Sequence, residues 1–169
     1  MARAQRGSDM TTDMATDMTH ATQDLILGLD CGTGGARALI STVAGDVLAI
    51  VDSPYPTRYP RAGWAPQSPQ DWWRAACEAV RGAIAEAGID PVRIAAICAD
   101  GTSSTLVSLD ADLTPVSDAI LWMDNRASPQ ARRIEDTGHP ALRRSRAGVS
   151  AETALPKIMW LKEHEPEAY

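Results

Sequence analysis

Apolar positions along the chain fall into short dense runs near its beginning and into longer, spaced stripes further on. Residues 24–29 are almost continuously apolar and predict a short buried strand. Residues 36–43 alternate and predict a second strand, and 47–51 a third. "AGD" at 44–46 supplies hairpin chemistry between those two. Pro54, Pro56, Pro60 and Pro66, with Gly63 among them, make the next stretch a loop.

The segment "SPQDWWRAACEAVRGAIAEAG" predicts the clearest helix. Ser68 is placed to cap it, Pro69 takes the first helical position and Asp71 completes a start of capping-box type. Trp73, Ala76, Cys77, Val80, Ile84 and Ala87 recur at helical spacing, and Gly88 is a fitting stop. Apolar density predicts a buried strand over 92–98 and another over 105–109, the latter closed by the turn "DADLTP". Residues 126–137 and 153–165 predict helices, the second ended by Pro166. This order implies an α/β domain with a mixed sheet: an antiparallel meander joined through a crossover helix to a further strand. Residues 1–23, with their repeated Asp-Met-Thr-like units, lack an apolar core and are expected to be a disordered tail ahead of a domain over 24–169.

Composition narrows the partners. The chain has 169 residues, 44% of them hydrophobic, enough for one domain core. A formal net charge of -6 with no basic block disfavours a nucleic-acid partner, and the run "RRSR" at 143–146 is a single basic turn read as a solvated face. No apolar stretch approaches the length needed to span a membrane. The three cysteines form no CxxC pair and fit reduced thiols in a cytoplasmic protein, and the three histidines are too scattered to suggest zinc.

The chemistry concentrates in "LGLDCGTGGARALI" at 27–40, where three glycines follow an acid at the end of a strand. A Walker loop is excluded, because no lysine precedes Lys157. A dinucleotide-binding loop is disfavoured, because the chain continues into a hairpin and Ala36 stands at the last glycine position. A strand–turn–strand phosphate site remains. Backbone N–H groups around Gly32 and Gly34 can form an anion-binding concavity, and Thr33 adds a hydroxyl. Asp30 can hold Mg²⁺ through water, and Arg37 can reach back toward the loop. An ordinary hairpin, with a capping Asp and glycines supplying positive φ, remains an equal reading of these residues alone.

Three further segments occur in order after this one: "GWAPQSPQDWW", "ADGTSSTLVSLDADLTPVSDAILWMDNRA" and "GVSAETALPKIMWLKEHEP". Together the four resemble the N-terminal part of the FGGY carbohydrate kinases, of the actin-like ATPase superfamily, over residues 25–169. The resemblance implies two ribonuclease-H-like domains with ATP and a sugar bound in the cleft between them. It implies that Asp30, Gly32, Thr33 and Arg37 belong to the phosphate-binding hairpin, with Gly34 where some members carry a second hydroxyl. It also implies that Thr102, Ser103 and Ser104 face the sugar, with Trp122 and Asp124 near it. Glycerol kinases carry a segment resembling Arg-Glu-Thr at that stretch, and its absence here favours a pentulose such as ribulose or xylulose over glycerol or another polyol.

Local readings compete with these. Asp124 can simply cap the following helix, Trp122 can be a core aromatic and Thr102–Ser104 a polar turn. Trp160 is expected in the core, and Trp64 either packs or closes over a cleft. The family's catalytic base and adenine pocket lie downstream, so an incomplete N-terminal domain is expected, inactive alone, with an exposed sheet edge open to association, for instance as a homodimer. The competing reading is a non-catalytic remnant or binding module of the same superfamily.

Overall fold

The computed structural model describes residues 25–144 and 148–169. The tail at 1–23, and Ser145 and Arg146 of the basic run, lie outside the described residues.

Strands β1 (Leu25–Cys31), β2 (Gly35–Thr42) and β3 (Val47–Pro54) form the expected meander. Helix α1 (Pro69–Ala87) then crosses over to β5 (Ile94–Gly101), preceded by the short strand β4 (Pro66–Gln67). The main sheet has the order β3-β2-β1-β5. β1 runs antiparallel to β2 and parallel to β5, so the sheet is mixed. β4 pairs with β6 (Ala119–Ile120), and α2 (Ser128–Glu135) and α3 (Ala154–His164) follow.

The sheet buries one face. Leu25, Leu27, Ala38 and Ile40 alternate inward and meet Ala75, Ala76, Ala79 and Ala83 of α1. Gly88 ends α1 in a left-handed conformation, with its N–H directed to carbonyls of the last turn. Two expectations about this helix are corrected. Ser68 sits at the cap position but makes no side-chain capping bond, its hydroxyl lying 2.9 Å from Gln70 Oε1 instead. The expected stripe holds at Ala76, which is buried, and at Val80, Ile84 and Ala87, which pack against the core, but Trp73 is 75% exposed and Ala75, Ala79 and Ala83 complete the buried face instead. The reason is spacing: α1 lies so close to β3 that a Cβ on Gly82 would come within 2.9 Å of a Val51 methyl.

A second cluster gathers Ile120, Ala127, Trp160 and Leu161, with Trp64 edge-on to Trp160 at 5.3 Å. Trp160 is therefore core, as expected, and Trp64 packs. The strand expected over 105–109 is absent. Only isolated bridges, Leu106 to Ile120 and Leu109 to Pro115, remain, because the Asp110 carboxylate accepts from the N–H groups of Asp112 and Thr114 and turns the chain back. The strand expected to be buried over 92–98 begins at Ile94 and is exposed along nearly its whole length. It forms the sheet edge, and α1 packs on β1, β2 and β3 instead. Ile97 is 69% exposed there. No helix among the described residues is long and apolar enough to cross a membrane.

The packing at α1 yields a first prediction. Ala79→Leu is expected to destabilise the fold by ~1–3 kcal/mol through overpacking, whereas Trp73→Ala is expected to stay within ~0.5 kcal/mol as a surface change. Urea unfolding of both variants measures this, and the reverse ranking would return the helix to the face read from spacing.

Candidate functional site

The β1–β2 turn spans Gly32–Gly34, and its three carbonyls are all engaged. The Tyr55 hydroxyl donates to Gly32 O at 2.5 Å, Gln67 Nε2 to Thr33 O at 2.8 Å, and Tyr55 N–H to Gly34 O at 3.2 Å. Gln67 is itself fixed, donating to Thr57 Oγ1 and accepting from the Trp72 indole. The Gly32 N–H donates to Gly35 O. Among the described residues, the backbone N–H groups of Thr33 and Gly34 make no hydrogen bond. Acceptors are thus occupied while two donors stay available, the polarity an anion requires.

The glycines of this turn do not supply positive φ, which removes that part of the ordinary-hairpin reading. Gly35 answers to proximity: a Cβ there would meet Ser53 O at 2.8 Å and the Pro54 Cα at 3.0 Å. At Gly34 a Cβ would meet nothing within 4 Å, so the turn has room for a side chain there.

A cavity lies on each side of the turn. One, of about 320 Å³, is lined by Asp30, Gly34, Arg37 and Asp52. Arg37 is exposed and holds Asp52 across the β2–β3 ladder at 2.6 Å, rather than reaching over the loop. That bond raises the guanidinium's proton affinity above its ordinary value. The parallel register sets Asp100 beside Asp30, a second acid that no sequence motif pointed to. Among the described residues there is no cluster of three or more His, Cys, Asp or Glu able to cage a metal. The donor set instead fits Mg²⁺ held through water by one or two carboxylates and completed by ligand phosphates.

The other cavity, of about 210 Å³, is lined by Cys31, Gly32, Gln67, Trp72, Thr102 and Thr105 among others. No carboxylate is in its lining. The Cys31 thiol is pushed above its ordinary proton affinity, by burial first and by the Asp30 charge second. Thr102 Oγ1 lies 2.9 Å from Thr105 Oγ1, which accepts from the Trp122 N–H. Ser103 and Ser104 are exposed and outside this lining, so of the three expected residues only Thr102 reaches the cavity. Trp122 is brought to the turn from far along the chain: its indole N–H donates to Thr33 Oγ1 at 3.0 Å. It is 39% exposed and so not a core aromatic.

Asp124 requires correction as a residue facing substrate. It is fully buried, accepts from Ala65 N–H at 2.6 Å, and binds the Arg126 guanidinium through both carboxylate oxygens at 2.9 Å. Arg126 in turn lies over the Trp64 ring at 3.9 Å. The carboxylate is consumed by folding the 63–65 and 124–126 segments together. Sequence reading also missed Lys157, which is fully buried and donates to the carbonyls of Ser104, Leu121, Trp122 and Glu152. Its signal was its place in the segment "GVSAETALPKIMWLKEHEP", which carried the resemblance but gave the lysine no role.

The family model described as FGGY family of carbohydrate kinases, N-terminal domain, matches residues 25–169. A xylulose kinase of Bacillus subtilis is 33% identical over 85% of the chain, which covers 29% of that relative. A D-ribulokinase of Saccharomyces cerevisiae is 31% identical over 82% of the chain and covered to 21%, and a glycerol kinase of an Acidovorax strain is 31% identical over 85% and covered to 29%. The crystal structure of a xylulose kinase from Rhodospirillum rubrum superposes with a TM-score of 0.78 at 25% identity, over 85% of this chain and 30% of that one. The chain thus spans less than a third of the length of these relatives, and its mixed sheet with crossover helix is the actin-like ATPase fold of the sugar kinases.

Two predictions follow from the turn. Gly35→Ala is expected to destabilise by ~1–3 kcal/mol through its clash with the β3 backbone, while Gly34→Ala is expected to be near neutral. Chemical denaturation of both measures the contrast, and equal losses would refute the close-approach account. Burial, with the Cys31 and Asp30 charges behind it, pushes the Tyr55 phenol up to about 12. A phenol whose folded pKa lies above the unfolded value of about 10 stabilises fully below pH 10 and loses that contribution as pH rises from about 10 to about 12. Tyr55→Phe is accordingly expected to cost ~1 kcal/mol near pH 8, with the gap to wild type closing between pH 10 and 12. A gap that stays constant by urea unfolding across that range would disprove the assignment.

Proposed function

This chain belongs to the FGGY family of carbohydrate kinases, and we propose that within it the glycine turn holds the transferring phosphates of ATP while the cavity beside Thr102 holds a sugar. The observation that carries the reading is the Trp122–Thr33 bond: with the Trp122 N–H on Thr105 Oγ1, it ties the glycine turn to a residue lining the second cavity. Phosphoryl transfer asks a protein mainly for positioning and charge neutralisation. Thr33 Oγ1 and the free N–H groups of Thr33 and Gly34 are the donors for phosphate oxygens, with Gly34 offering one contact fewer than a hydroxyl residue would. Asp30, with Asp100 beside it, is the group to orient Mg²⁺ through water, and Arg37, partly neutralised by Asp52, adds positive potential. The metal supplies neutralisation of phosphate charge when bound. Thr102 and the backbone around Thr105 position the sugar hydroxyls, and Trp72 walls the apolar side.

The acceptor hydroxyl needs a base, and the cavity beside Thr102 has no carboxylate in its lining. Since the chain spans less than a third of the kinases it matches, the reading is of a binding half-site whose base lies outside residues 25–169. A pentulose, ribulose or xylulose, is the favoured substrate, since "TSS" stands where glycerol kinases resemble Arg-Glu-Thr. A polyol such as glycerol is the alternative, and a non-catalytic binding module the other. The purified chain is expected to bind Mg-ATP and a pentulose weakly, read by tryptophan fluorescence, and to release no ADP. Thr33→Val is expected to weaken Mg-ATP binding roughly tenfold, the loss of one charge-assisted hydrogen bond. Turnover at ordinary kinase rates would overturn the half-site reading, and no nucleotide binding would overturn the phosphate assignment. Tighter binding of glycerol than of ribulose, xylulose or ribitol would select the polyol.

A further inference from the structure

Lys157 is a fully buried ammonium, and among the described residues no carboxylate is in contact with it. Its three N–H bonds serve four backbone carbonyls: Leu121 O at 2.7 Å, Ser104 O and Glu152 O at 2.8 Å, and Trp122 O at 3.3 Å. Taking an ammonium out of water costs several kcal/mol, and a methionine would fill the same space on α3 without that cost. Packing alone therefore does not account for a lysine here. What the ammonium does, and methionine cannot, is gather carbonyls from three segments that have almost no regular secondary structure to locate them.

Two of those carbonyls belong to residues directly behind the cavity's wall: Ser104 lies between Thr102 and Thr105, which line it, and the Trp122 N–H donates to Thr105 Oγ1. Ser104 has a φ of 59°, a left-handed conformation costing a non-glycine residue ~1 kcal/mol, and Lys157 holds it by its own carbonyl. Ser104 closes the turn whose Thr102 and Thr105 hydroxyls meet. Trp122, held by the same ammonium, bonds Thr33 of the glycine turn through its indole. We infer that Lys157 is a positioning residue: its ammonium ties the Ser104 and Trp122 backbones together and thereby sets the Thr102 hydroxyl and the Trp122 indole against the glycine turn. It touches neither ligand, and the role rests on the sugar-site reading above only for its effect on binding. Burial draws the ammonium down to about 8, against the opposing charges of Asp124 and Glu152 and together with that of Arg126. The clamp is therefore cationic at neutral pH and loses one donor above about pH 8.

The test has an arm that needs no sugar. In the wild-type chain labelled with ¹⁵N-lysine, one ammonium is expected to resist solvent exchange at pH 7 and to show hydrogen-bond couplings to the Ser104 and Leu121 carbonyls. The Trp122 indole proton is expected to be protected from exchange, at least tenfold less so in Lys157→Met, and largely restored in Lys157→Arg. Pentulose affinity is expected to fall about tenfold in Lys157→Met without a matching loss of thermal stability. In wild type it should decline above about pH 8, and in Lys157→Arg it should not. No protected ammonium in wild type would overturn the inference, whether or not the methionine variant folds. So would an indole proton indifferent to Lys157→Met, or losses that merely track global stability and are not restored by arginine. If wild type binds no pentulose, the function proposal fails while the indole and ammonium measurements still judge the clamp.

Discussion

The structure depends on β1 pairing on both its edges at once. One edge takes β2 in an antiparallel ladder, which forces the chain to reverse within three residues after Cys31. The other takes β5 in a parallel ladder, which brings the end of a strand some seventy residues later to the same end of the sheet. A parallel pair needs a crossover, and α1 is that crossover, lying close enough to the meander that its fully buried positions are alanines and Gly82 sits against Val51. Asp30, the glycine turn, Asp100 and Thr102 are neighbours as a consequence of these two ladders.

Beyond β5 the chain is located by buried polar groups more than by secondary structure. Residues 102–127 contain only a two-residue strand and isolated bridges. Asp124 and Arg126 pin this region to the 63–65 loop, Arg126 sandwiching its charge against Trp64 and Trp160. Lys157 pins it to α3 from the other side. A buried charge is tolerable only when its hydrogen bonds are satisfied, and satisfying them dictates one arrangement of the loops. Gln130 Oε1 is the one buried side-chain atom among the described residues left without a partner. The same logic holds the glycine turn, whose carbonyls are taken by Tyr55 and Gln67 while the Thr33 and Gly34 amides stay unbonded among the described residues.

The sequence by itself determined what short-range forces decide. Alternating apolar residues and the Asp46 turn specified the meander, Pro69 and Gly88 bracketed α1, and the absence of an early lysine with Ala36 in place of a glycine removed two classes of phosphate loop. The four spaced segments pointed to the sugar kinases. Tertiary structure alone decided the rest, because spacing along a chain does not report distance to another element. The helix face that is buried was set by how near β3 comes, not by which residues are most apolar. β5 looked buried from its composition, yet lies at an edge that α1 does not cover. Asp124 and Lys157, ordinary polar residues in sequence, acquire their roles from partners up to fifty-nine and fifty-three residues away. The contact that ties the glycine turn to the Trp122 segment, Trp122 to Thr33, spans eighty-nine, and no local pattern can encode a hydrogen bond whose two ends are brought together only by the completed fold.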